Sequence, residues 1–63
     1  AEEIDGYLNK AQKLLDDYPV RDGNYAFVCE KCASVFGYYG RFLYEEELKR
    51  RASDIYTLNI KSL

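Results

Sequence analysis

The sequence predicts an all-α protein built as an antiparallel helical hairpin, and three observations carry that prediction. Apolar residues recur at spacings of three and four over most of the 63 residues. One segment, Pro19-Val20-Arg21-Asp22-Gly23-Asn24, collects the turn-forming residues. A run of glutamates is followed at spacing four by basic residues, a pattern that supports an exposed helix.

The first helix is expected over residues 2–18. Ile4, Leu8, Ala11, Leu15 and Tyr18 form its apolar stripe, which Tyr7 and Leu14 widen. Glu2, Glu3 and Asp5 favour the positive end of the helix dipole. Asp16 and Asp17 oppose the negative end, which predicts fraying there, and Pro19 disfavours helical geometry at Tyr18. The turn occupies residues 19–24, where Asp22 or Asn24 is placed to cap the next helix.

From Tyr25 to Tyr56 the helical period resumes. Tyr25, Val28, Cys32, Val35, Tyr39 and Phe42 form one stripe, and Ala33, Gly37, Gly40, Tyr44 and Leu48 a second whose small members admit a close neighbour. Three Glu-to-basic pairs at spacing four are expected: Glu45–Lys49, Glu46–Arg50 and Glu47–Arg51. Gly37 and Gly40 each cost a helix about 1 kcal/mol. The stretch between them lacks Pro, Asn, Asp and Ser, which favours one long helix over residues 25–56. The alternative is a compact three-helix bundle broken at Gly37–Gly40. Residues 57–63 are read as a C-terminal tail; the strand-forming run from Ile55 to Ile60 also admits a helix end or a short strand added to a partner. The whole chain is one domain.

The long helix would span roughly 50 Å against about 25 Å for the first. Its distal half would then lack cover for Tyr39, Phe42, Tyr44, Leu48, Ile55 and Tyr56, which are the expected partner-binding residues. Exposure of large apolar side chains forfeits roughly 1.5–3 kcal/mol each. A second chain would supply the cover, so a homo-oligomer is expected, with a further protein partner of unknown identity. Two cysteines and no histidine leave assembly as the route to stability for so short a chain.

Function classes narrow accordingly. Histidine is absent, and no phosphate-cradling loop or nucleophile turn occurs, so an enzyme and a cofactor are not expected. A non-enzymatic helical adaptor is the primary reading. Single-stranded nucleic-acid binding through Arg41, Lys49, Arg50 and Arg51, beside Tyr38, Tyr39, Phe42 and Tyr44, is the alternative. It is not favoured, because the net charge is −2 and three glutamates accompany the cluster. No run of apolar residues is long enough for a membrane span, and the acidic N-terminus is unlike a signal peptide. A cytoplasmic location is expected.

Cys29-Glu30-Lys31-Cys32 admits core packing, a redox pair, or a zinc site shared across a dimer. Core packing is favoured, since two thiolates are half of a structural zinc set and no βαβ context exists. The spacing puts Cys32 on the core stripe and Cys29 at its edge.

Residues 25–58 resemble small phage DNA-metabolism accessory proteins, of which the recombination mediators of T4-like phages are the best-known group. The likeness rests on Ala33, Phe36, Tyr39 and Leu43, then Glu45 to Arg51, then Ala52, Ile55, Tyr56 and Leu58. It covers about half the chain and implies an oligomer that binds single-stranded DNA beside a recombinase or single-strand-binding partner.

Overall fold

The computed structural model describes residues 2–61 and consists there of three helices without a strand: α1 (Glu2–Asp16), α2 (Gly23–Tyr38) and α3 (Phe42–Lys61). The all-helical class matches the sequence reading. The single helix over residues 25–56 does not form; the chain breaks at Gly37–Gly40 as the alternative had it and has three helices, with α2 packed on α3 in an elongated molecule and not a compact bundle.

Gly40 is the reason. Its φ of +86° lies in the left-handed region that glycine enters without strain. Its N–H donates to Gly37 O at 3.0 Å, and the Arg41 N–H donates to Phe36 O at 2.8 Å. These two bonds are the paired closure of a Schellman cap, which satisfies the last carbonyls of α2. A Gly-terminated helix therefore needs none of the other turn residues to stop. Beyond it α3 folds back and packs along α2. Of the readings open for the C-terminal stretch, the helix end is the one found: α3 runs through residues 57–61 in place of a tail, while Ser62 and Leu63 lie outside the described residues.

Helix α2 starts at Gly23, two residues before the expected Tyr25, and of the two cap candidates Asp22 is the one used. Asp22 is extended (φ −102°, ψ −166°), and its Oδ1 accepts the Tyr25 N–H at 3.0 Å. Helix α1 ends at Asp16, two residues before the expected Tyr18.

The core gathers Leu8 and Leu15 of α1, Tyr25, Ala26, Cys29, Ala33 and Phe36 of α2, and Leu48 and Ala52 of α3. Helix α2 thus buries a face rotated from the expected stripe. Tyr25 is on both, but Val28, Val35 and Tyr39 are exposed. The two cysteines exchange places: Cys29 is fully buried and Cys32 only partly. Helix α2 is apolar around most of its circumference, so periodicity alone leaves its orientation open. The small side chains settle it, because Ala26, Cys29 and Ala33 let α3 approach closely. Gly37 belongs to the same contact; a Cβ there would collide with the Glu45 carboxylate.

The three helices are joined at one polar hub. The Tyr25 hydroxyl donates to Leu15 O at 2.7 Å and accepts from Arg51 Nη1 at 3.0 Å. Arg51 Nη1 also lies 2.9 Å from Asp16 Oδ1, and its Nε donates to Glu47 Oε2 at 2.7 Å. The Tyr44 hydroxyl donates to Asp16 Oδ1 at 2.8 Å, and its ring meets Phe36 edge-on at 4.7 Å. The acidic end of α1, unfavourable to its own helix dipole, is neutralised by Arg51.

Candidate functional site

The six expected partner-binding residues do not form one surface. Leu48 is buried in the core, and Tyr44 and Ile55 are partly buried against it. Helix α2 gives them the intramolecular cover that a single long helix would have denied. Tyr39, Phe42 and Tyr56 remain exposed.

The four candidate nucleic-acid cations each hold a carboxylate. Arg41 reaches back to α1, donating to Asn9 Oδ1 at 2.7 Å and lying 3.5 Å from Asp5 Oδ1. Lys49 lies 3.4 Å from Glu45, and Arg50 lies 2.7 Å from Glu47 and 3.4 Å from Asp54. Arg51 is the cation of the hub, with its side chain only 14% exposed. Of the expected spacing-four pairs, Glu45–Lys49 and Glu47–Arg51 form. Arg50 instead turns to Glu47, one residue nearer than the expected Glu46 would place its partner across the turn. Glu47, flanked by Arg50 and Arg51, is held below the usual glutamate range. The Arg51 guanidinium is stabilised in its charged form by hydrogen bonds to Glu47, Asp16 and Tyr25, which outweigh its burial.

Cys29 is part of the interior, whereas Cys32 is partly buried at the edge of the groove between α1 and α2. Burial raises both thiols above their ordinary value, and Cys29 sits against the Tyr25 hydroxyl. A thiol held there is turned inward, away from any second chain, so a zinc site shared between copies would need α2 to rotate. Burial likewise raises Tyr25 and Tyr44, with the Asp16 carboxylate adding to the effect at Tyr44.

Besides a depression of about 280 Å³ lined by Glu3, Gly6, Tyr7 and Lys10, two others bear on the site. The larger, about 490 Å³, is lined by Glu30, Lys49, Ser53, Tyr56 and Thr57, and its cation already faces Glu45. The smaller, about 220 Å³, is almost wholly apolar and lies between α1 and α2. Ala11, Leu14, Leu15 and Tyr18 form one wall, Val28 and Cys32 the other. Leu14 is 71% exposed there. Ile4 and Tyr7 of α1, Val35 of α2 and its C-cap Tyr39 are also exposed. Sequence reasoning placed most of these residues in the core. The sign that they exceed it is the breadth of the α1 stripe, since a helix facing one neighbour needs only the arc of Leu8, Ala11 and Leu15.

No helix among the described residues is long and apolar enough to cross a membrane. No family model, curated protein or solved structure was found to match the chain.

Proposed function

We propose that this chain is a non-enzymatic, self-associating helical module that acts through protein–protein contact. The observation that carries this reading is the apolar groove between α1 and α2, walled by Leu14 and Val28. Contiguous exposed apolar surface on a small chain marks a place where another surface docks. Tyrosine, the most abundant aromatic here, suits such a surface because its ring is apolar and its hydroxyl stays wet. The working face is that of α1 and α2, in place of the distal part of the chain, because α2 already covers Leu48 and Ala52.

Sedimentation equilibrium of the full chain across 1–100 µM, roughly the range in which small helical modules associate, tests the reading. Association within that range is expected, and a monomer at every concentration would refute it.

A further inference from the structure

We propose that the occupant of the α1–α2 groove is a second copy of this chain, docked through α1 running antiparallel to the partner's α1. The inference rests on the self-association reading above and adds the interface, its direction and its register.

Helix α1 carries two apolar arcs. Leu8 and Leu15 point into the chain's own core. Ile4, Tyr7, Ala11 and Leu14 recur at spacings of three and four beside them, all but Ala11 exposed, and the exposed Tyr18, two residues past the end of the helix, prolongs the arc. That second arc is the seam of a two-helix contact. One flank of the seam is the core arc. The other is Glu3, Lys10 and Asp17, one residue before each seam repeat. The Asp17 N–H still donates to Lys13 O at 2.9 Å, so the helical spacing persists to that flank's end. Among the described residues neither Lys10 nor Asp17 has an ion-pair partner.

These charges select one register. In an antiparallel pair the same flank of each helix meets the other's. If Ala11 packs on the partner's Leu14, Lys10 meets the partner's Asp17, twice by symmetry. Sliding by one heptad toward the N-terminus sets Lys10 against Lys10 and Glu3 against Asp17. Sliding the other way sets Asp17 against Asp17. A parallel pair brings each flank against Leu8 and Leu15, with no charge to match. In the favoured register a small residue faces a large one at the centre, which lets the layers interdigitate.

The chain exposes more surface than a compact chain of its mass. The chain exposes 4832 Å², against about 4,200 Å² for a compact chain of 7.4 kDa. A standard interface buries about 800 Å² per partner. Docking on the groove also covers Val28 and Cys32 of α2, so the product is a four-helix core made of α1 and α2 from each copy.

Charge reversal reads the register directly, and sedimentation equilibrium supplies the dissociation constant. Lys10→Asp and Asp17→Lys are each expected to weaken the dimer roughly tenfold, because two pairs change sign at once. The double variant Lys10→Asp/Asp17→Lys is expected to return to within about threefold of the parent. Leu14→Asp, at a site 71% exposed in the single chain, is expected to give a monomer of unchanged helicity. A dimer indifferent to Leu14→Asp overturns the groove as the interface and leaves self-association standing. A dimer that Leu14→Asp breaks, but in which the single charge reversals do not weaken association or are not rescued by the double reversal, overturns the register. A parent chain that is monomeric throughout overturns both this inference and the self-association on which it rests.

Discussion

Arg51 is the residue on which the three helices converge. It lies 2.9 Å from Asp16 at the end of α1, 3.0 Å from the Tyr25 hydroxyl at the start of α2, and 2.7 Å from Glu47 on its own helix. Removal of an enclosed cation leaves its anions and the phenol with fewer partners, and the cost exceeds that of a solvent-exposed pair. Arg51→Ala is therefore expected to lower the unfolding free energy by about 2–3 kcal/mol, read from urea denaturation. Arg50→Ala serves as the control, because its side chain is 63% exposed and its pairs face solvent. A loss under about 1 kcal/mol is expected there. Equal losses in the two variants would show that the hub holds nothing together. The sequence carries no hint of the hub, since residues 16, 25 and 51 share no helical period; only the return of α3 brings them together.

Element ends divide the two glycines into different jobs. Gly40 holds a positive φ, so Gly40→Ala is expected to cost about 1 kcal/mol in thermal or urea unfolding. Gly37 sits inside α2 with helical geometry, and its missing Cβ makes room for the flexible end of Glu45. Gly37→Ala gains roughly 0.5–1 kcal/mol of helix propensity and displaces the Glu45 carboxylate, so little net change is expected. A larger loss at Gly37 than at Gly40 would place the break at the wrong glycine. The N-terminal cap of α2 is equally open to test: Asp22→Ala is expected to cost about 1 kcal/mol, because the Tyr25 N–H loses its acceptor. That cap was legible in the turn chemistry of the sequence. The C-terminal break was not, because glycine is compatible with both a helix interior and its end, and the packing of α3 onto α2 decides between them.

The molecule as a whole is elongated, 45 × 21 × 14 Å, with a radius of gyration of 12.4 Å; a compact chain of this length would have about 10.6 Å. Its stability carries a pH signature set by the interior. Burial holds the Cys29 and Cys32 thiols and the Tyr25 and Tyr44 phenols above their ordinary values. Groups raised in the folded state ionise first in the unfolded chain, so their contribution is intact below the unfolded values and is lost as pH rises past them. Stability is expected to decline from about pH 9 upward, as the thiols and then the phenols titrate in the unfolded state. Glu47 has the opposite sign: lowered in the folded state, its contribution holds above the ordinary glutamate range and fades as pH falls through it. Urea midpoints measured from pH 3 to pH 11 would show a plateau between those limits, and a maximum at either extreme would contradict the assignment.

The helical class, the end of α1 to within a turn, the capped start of α2 and two of the ion pairs along α3 were all readable from the order of residues. Those features depend on residues within four positions of one another, where backbone geometry allows one reading. Folding in three dimensions was needed for the rest: which face of α2 is inward, which cysteine is enclosed, where the long apolar stretch breaks and which apolar residues stay in solvent. Helix α2 is apolar on nearly every side, so its orientation follows from the packing of small residues under α3. That packing in turn leaves Leu14, Tyr18, Val28 and Val35 facing outward.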